Sequence, residues 1–570
     1  MNRRRFVQLG AALAATAPLL SLGTGTARAA DERVAGRLGQ GGFRCDVAII
    51  GGGLGGIAAA LSALKSGLKV VLTEETDWIG GQLTSQAVPP DEHRWIESQG
   101  CTKTYRQLRH GIRDYYRRHY PLTDAAKARV DLNPGNGSVS ALCHEPRVAL
   151  AELEGLLAPY VPDGRLVLLR EHRPVSAVAE ADRVQQVTVR NLRTGRDVSL
   201  EAPWFIDATE LGDLLPLTGT EFVTGAEAGT GELHASARPG PSNQQSFVSC
   251  FIIDHVPGEE HVIDPPRDWA FWKNHVPNLT PAWPGRLLDL TYFHPQRRVP
   301  VTLGFNPEGD TPGVPLNLWR YRRIAAKANF QPGTYPGDVS LINWPQNDYM
   351  LGNLVGVSEA EAQKHVASAK QLSLSLLYWL QTGVPRPDGG QGWPGLRLRK
   401  DLVGTEDGLA KSCYVREARR IRARFTVLEQ HVGLAMRAKA TGVKEAEAKA
   451  AEFADTVGIG SYPIDLHPSS AGDNYTDFPT APFQIPLGAL LPVRMKNLLP
   501  ACKNIGTTHV TNGCYRLHPV EWNIGEAVGA AVALALRKKL GTSEALAKRN
   551  TVGELQADLV KLGVELAWKA

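Results

Sequence analysis

One short stretch constrains this chain more than any other. Asp46-Val47-Ala48-Ile49-Ile50 is a β-branched run suited to a buried parallel strand, and Gly51, Gly53 and Gly56 follow at once in G-x-G-x-x-G spacing. Residues 57–64 then read as a helix that stops near Gly67, residues 69–73 as a second strand, and Glu74 stands at its C-terminal end. Each part has a physical task in a turn that holds a dinucleotide. Gly51 permits the tight turn, Gly53 lets the backbone approach a diphosphate, and Gly56 lets helix and strand pack closely. The helix N-terminus offers N–H groups and a partial positive charge to that anion. Glu74 accepts hydrogen bonds from ribose hydroxyls. A glycine-rich packing turn is the plain alternative. The flanking strand, the helix and the acid 18 residues beyond Gly56 tell against it.

Three further segments extend the pattern. Gly80-Gly81-Gln82-Leu83 is a second glycine pair shortly after Glu74. Phe205-Ile206-Asp207-Ala208-Thr209 reads as a strand running into Glu210-Leu211-Gly212-Asp213. Near the C-terminus, Lys496-Asn497-Leu498-Leu499-Pro500-Ala501-Cys502 leads through His509 and Arg516-Leu517-His518-Pro519 to a small-residue helix expected over 524–536. This set resembles the glutathione-reductase-type FAD fold. More closely it resembles the FAD-dependent oxidoreductases related to fumarate reductase flavoproteins. The resemblance implies an α/β fold: a discontinuous Rossmann-type FAD-binding domain with an inserted α+β substrate domain. It implies FAD as cofactor, Asp207 beside the nucleotide half, and Gly525 to Ala527 opening a helix aimed at the flavin. A helix N-terminus stabilises the negative charge of reduced flavin. The cofactor-contacting set is then Gly51, Gly53, Gly55, Gly56, Glu74, Gly81, Gln82, Asp207, Ala208, Gly525 and Ala527. No second strand, G-x-G-x-x-G and helix in succession offers a fingerprint for NAD(P)H, so electrons are expected to leave to O2, a quinone or a protein carrier.

Charge patterning narrows the partners. The net charge is +5, but Arg3, Arg4, Arg5 and Arg28 lie in the first 30 residues; without these four, 59 basic residues face 58 acidic ones. No basic field for nucleic acid or anionic lipid remains. Three arginines, a mildly apolar run and Ala27-Arg28-Ala29 read as an export signal over residues 1–30, with an order similar to the bacterial twin-arginine signal. The expected location is periplasmic or extracellular, with no stable membrane span once the signal is removed. Seven cysteines without C-x-x-C indicate neither a disulfide framework nor a metal cluster, and no metal site is expected. Covalent flavin attachment occurs in related enzymes; Cys101 and Cys502 are its candidates here, with buried free thiols as the alternative.

The FAD-binding unit is expected over 43–90, 145–230 and 480–545, with an insertion at 91–144, a substrate domain over 231–480 and a C-terminal helix within 546–570. Residues 165–170 and 185–198 read as strands of a small sheet, and residues 357–381 and 415–440 as helices. Seven of the twelve tryptophans fall between 231 and 395, where core packing is the default reading and stacking on a ring substrate the alternative. The polar-aromatic stretch 344–349 reads as pocket lining. Arg416 and Arg420 read as a solvated helix face, or as an anion clamp.

Oxidising a C–H bond next to O or N removes a proton from the heteroatom, and histidine suits that task near neutral pH. His518, just before the flavin-facing helix, is the first candidate base; His509 is the second; Arg516 is placed to hold an anionic substrate or the reduced flavin. The function expected is exported, FAD-dependent oxidation of a small organic substrate. Reduction of an activated double bond is the rival activity, and a non-catalytic binding protein on a flavin fold is the rival of another class.

Overall fold

A computed structural model describes residues 36–38 and 41–569. The export signal expected over 1–30 lies outside the described residues. Five parallel strands form the central sheet: β1 (Val47–Ile50), β2 (Val70–Glu74), β3 (Leu166–Arg170), β4 (Trp204–Asp207) and β5 (Leu498–Pro500). Their order is β5-β4-β1-β2-β3, so segments about 290 residues apart in sequence, β4 and β5, pair side by side. Residues 166–170 thus belong to the central sheet rather than to the small sheet expected from sequence.

The two-residue period of β1 decides what covers each face. Val47 and Ile49 join a core that includes Leu54 and Ile57 of helix α1 (Leu54–Lys65) and Ile524 and Val528 of helix α2 (His518–Arg537). Ala48 and Ile50 face the other way, into a core with Val187, Val189 and Leu200. Those residues come from an antiparallel meander, His172–Glu180, Arg183–Asn191 and Asp197–Glu201, extended by Gly42–Arg44. With both faces covered, the parallel strands need no polar side, which is why they read as continuous apolar runs.

The region over 231–480 holds an antiparallel sheet, Arg323–Ala325, Val339–Ile342, Phe251–His255 and Leu396–Leu398 in that order. The helix Glu359–Thr382 packs on it, capped by the Ser358 hydroxyl and stopped at Gly383. Trp272, Trp283, Trp319, Trp344 and Trp393 are buried in its core, which gives them a packing role.

Two helix expectations change. Residues 415–440 are not one helix. Arg420–Ile421 pairs as a strand with Phe222–Val223, and only Glu429–Val432 and Leu434–Thr441 are helical. Arg416 and Arg420 are buried against Asp348, Glu417 and Glu227, and these tertiary ion pairs override the helical period. The expected helix over 524–536 begins earlier, at His518, with Pro519 in its first turn. Among the described residues, no helix is long and apolar enough to cross a membrane.

Candidate active site

The loop between β1 and α1 is built by close backbone approach. Gly51 has φ +108°, and a Cβ there would overlap the Ala208 carbonyl. Gly55 lies on the Ala501 carbonyl, and Gly525 of α2 lies in turn on the Gly55 carbonyl. Gly525 and the buried Ala527 therefore sit inside α2, seven residues or more from its start. They bring α2 against α1 instead of opening a helix toward the flavin. The residues that open α2 are His518 to Glu521.

Gly53 differs from its neighbours. A Cβ there would meet only carboxylate oxygens, Glu210 Oε1 at 3.1 Å and Glu521 Oε1 at 3.5 Å. An anion already sits in this niche: the Gly55 N–H donates to Glu521 Oε1 at 3.1 Å. The Lys503 ammonium pairs with Glu210 beside it, and Gln82 Nε2 donates to Glu521 Oε2 at 2.5 Å and to the Arg516 carbonyl at 3.1 Å. Burial pushes the Glu521 carboxyl up, partly offset by Lys503. Glu210, Cys502 and Glu521 place potential ligand atoms within 4.8 Å of one another, but the ammonium stands among them and burial raises the Cys502 thiol far above its usual range.

At the end of β2, buried Glu74 accepts the Gly52 N–H at 3.1 Å on one oxygen and the Thr76 N–H and hydroxyl, each at 2.8 Å, on the other. Burial raises its carboxyl to about 7. Asp207, across from Ile50, holds the Thr209 N–H and hydroxyl on Oδ1, while Oδ2 is buried without a partner; burial raises this carboxyl also to about 7. Gly81 comes within van der Waals reach of Gly53. Five residues on, Gln86 is wholly buried with both amide atoms unpartnered.

These groups fit a dinucleotide. The helix N-terminus and Lys503 suit a diphosphate, Glu74 suits a ribose, and the orphaned Gln86 amide suits the polar edge of a ring. The family description FAD dependent oxidoreductase matches residues 46–559.

The chain belongs to that family.

FAD is accordingly the cofactor of this oxidoreductase. Over 136 residues it is 32% identical to bilirubin reductase of Mediterraneibacter gnavus (strain CC55_001C), a match covering 23% of this chain and 19% of that protein. The chain thus spans about a fifth of that relative's length. A geranylgeranyl bacteriochlorophyll reductase-like protein from Thermoplasma acidophilum is 11% identical over 91% of this chain and 88% of its own, with a TM-score of 0.30. A quinol fumarate reductase variant from E. coli is 12% identical over 91% and 74%, with a TM-score of 0.31.

The three candidate catalytic residues have separate fates. His518 is fully buried, and its Nδ1 accepts the Asp91 N–H at 3.1 Å. Burial holds the imidazole down at about 4, so it is neutral near pH 7 and carries its proton on Nε2. A neutral ring in that tautomer has no lone pair left to take a proton, so this geometry does not suit a general base. His509 is buried with Nδ1 2.8 Å from Glu417; burial works to raise the Glu417 carboxyl, but His509 and Arg420 outweigh it and hold it at about 2.

Arg516 joins a larger network. It donates to the Tyr414 hydroxyl at 3.3 Å and to Asp465 at 3.0 Å. His467 lies between two carboxylates, with Nδ1 2.7 Å from Asp348 and Nε2 3.2 Å from Asp465. Asp348 also receives Arg416 at 2.9 Å and the Tyr475 hydroxyl. Asp348 belongs to the stretch read as pocket lining, but Asp465 and His467 carried no motif. Each becomes notable only when the short ribbon Ile464–Leu466 is brought against Arg516.

Proposed function

We propose that this enzyme is an exported oxidase or dehydrogenase that takes a hydride from a small organic substrate bound at the Arg516–Asp465–His467 network. Bound FAD supplies the two-electron acceptor. The observation that carries this reading is a chain of hydrogen bonds: Gly55 to Glu521, Glu521 to Gln82, Gln82 to the Arg516 backbone, and the Arg516 side chain to Asp465. It ties the diphosphate niche to Arg516, whose side-chain partner Asp465 is partly exposed. Asp465 and His467 are 23% and 17% exposed at their side chains, whereas Arg516 is 2% exposed. In this reading the Asp465 carboxylate, which His467 and Arg516 hold far below the usual carboxylate range against the effect of burial, accepts the hydrogen bond of the substrate's hydroxyl or amino group, and the proton passes to the His467 imidazole beside it. Arg516 holds Asp465 in place, and His518 braces the loop carrying Asp91. Electrons then pass to O2, a quinone or a protein carrier.

A second reading, reduction of an activated double bond, is favoured by the likeness to bilirubin reductase. One experiment separates the two. Purified protein is mixed anaerobically with alcohols, amines and sugars, and the flavin band is followed. Bleaching by one class, with recovery on adding O2 or a quinone, supports oxidation. No bleaching, together with reoxidation of chemically reduced protein by a conjugated double bond, supports reduction.

A further inference from the structure

We infer that the outer face of the helix Lys103–His119 docks a small acidic protein that carries electrons one at a time. This deepens the reading above, choosing among its acceptors, and rests on it for the direction in which electrons leave. The helix is two-sided. Its buried positions, Tyr105, Leu108, Ile112 and Tyr116, follow helical spacing and join the core. On that side the Thr104 hydroxyl accepts the Trp522 indole N–H of α2 at 2.7 Å, and the Tyr105 ring lies 5.9 Å from the Trp522 ring. Trp522 follows directly on Glu521 of the diphosphate niche. The outer face thus stands one helix thickness, about 10–12 Å, from the cofactor end of α2.

Two grooves flank that outer face. One, of about 400 Å³, is lined by Arg113, Arg117, Lys127 and Arg129, with Asp114 as its one acid. The other, of about 490 Å³, is lined by Lys103, Arg106 and Arg118 against Asp114 and Glu152. Exposed His110 lines both. Five of these cations have carboxylate partners: Arg113 with Glu97, Arg117 with Asp114, Arg118 with Glu152, Arg106 with Glu565 and Arg129 with Asp131. Lys103 and Lys127 are exposed, and among the described residues no carboxylate lies within ion-pair distance of either. The face therefore keeps two positive charges in excess. Its field reaches His110, whose imidazole burial and the Arg113 and Arg109 guanidiniums hold below its usual value.

Size and shape favour a protein over a small anion or a bilayer. Lys103 and Arg117 are 14 residues apart on the helix, about 21 Å. Exposed pairs such as Arg118 with Glu152 are weak in water, so their guanidiniums can turn to a partner's carboxylates. Val130, 88% exposed on the rim of the first groove, adds an apolar contact. Grooves on both sides of a ridge receive the protruding acids of a protein surface, which a flat bilayer does not offer. A carrier seated here takes one electron per visit. Two carriers are reduced for each two-electron reduced flavin, and the flavin's proton leaves to water.

The test uses flavin-loaded protein reduced anaerobically with dithionite, freed of excess, and mixed with acidic plastocyanin, basic cytochrome c or uncharged benzoquinone. Plastocyanin should reoxidise the flavin faster than cytochrome c at low salt, and its rate should fall about ten-fold or more at high salt. The double variant Lys103→Glu with Lys127→Glu should slow plastocyanin about ten-fold at low salt and leave benzoquinone unchanged. Both lysines are exposed, and a melting curve verifies the variant's fold. A plastocyanin rate indifferent to salt or to the variant, or a faster reaction with cytochrome c, overturns the inference. So does capture on phosphatidylglycerol vesicles without any reaction with plastocyanin. Flavin that dithionite reduces but no alcohol, amine or sugar reduces defeats the underlying reading instead.

Discussion

Glu521 accepts the Gly55 N–H at 3.1 Å, so a carboxylate from the far end of the chain occupies the helix N-terminus that the glycine turn prepares for an anion. A diphosphate and this carboxylate compete for the same donors. Glu521→Gln removes the like charge and should tighten FAD binding to the apoprotein by about five-fold, on the order of 1 kcal/mol. Fluorescence titration with FAD checks it. Because burial raises the Glu521 carboxyl, wild-type affinity should also increase as the pH is lowered, and the variant should lose that dependence. Equal affinities would deny the competition.

Gly51 and Gly53 separate folding from binding. A Cβ at Gly51 overlaps the Ala208 backbone at a left-handed φ, whereas one at Gly53 meets only carboxylate oxygens, of Glu210 at 3.1 Å and of Glu521 at 3.5 Å. Gly51→Ala should cost more than about 3 kcal/mol of stability. Gly53→Ala should leave the apoprotein melting temperature nearly unchanged while weakening FAD binding by about ten-fold or more. Thermal melts of both apoproteins, paired with FAD titrations, give the comparison.

The glycine turn, the acid at Glu74 and the parallel strands were legible because local chemistry dictates them: each needs particular residues at fixed spacing. The start of α2 was misread because its small residues, Gly525 to Ala533, mark where it packs on α1 and not where it begins. Residues 415–440 carry a helical period, yet the buried pairs of Arg416 and Arg420 are long-range contacts with no local signature. Asp465 and His467 were illegible for the same reason, since a charged residue in a short ribbon acquires meaning only from what the fold sets against it.

His518 should behave as a brace. His518→Ala removes a buried ring and the acceptor of the Asp91 N–H, and should cost about 2–4 kcal/mol of stability. His518→Asn, which keeps an acceptor, should recover part of that loss. Neither variant should remove a limb from the pH–rate profile. A limb lost with His518→Asn at unchanged stability would restore the ring to the chemistry.

Asp207 sets a stability dependence on pH. Its carboxyl is raised to about 7 in the folded protein, above its unfolded value. Such a group contributes stability below the unfolded value, and that contribution is lost as pH rises through the folded one. Asp207→Asn keeps an acceptor for Thr209 and cannot ionise. The apoprotein variant should therefore gain on wild type by about 1–3 kcal/mol between pH 5 and pH 8. Denaturant unfolding at the two pH values reads the difference. A gap that shrinks with rising pH would contradict the assignment.

The structure of the FAD-loaded protein tests the link between the diphosphate niche and the Arg516–Asp465–His467 network most directly. The isoalloxazine ring should lie along Gln82 with its reactive edge within about 4 Å of a ligand held by Asp465. A ring directed away from Arg516 and Asp465, with no open path between them, would contradict it.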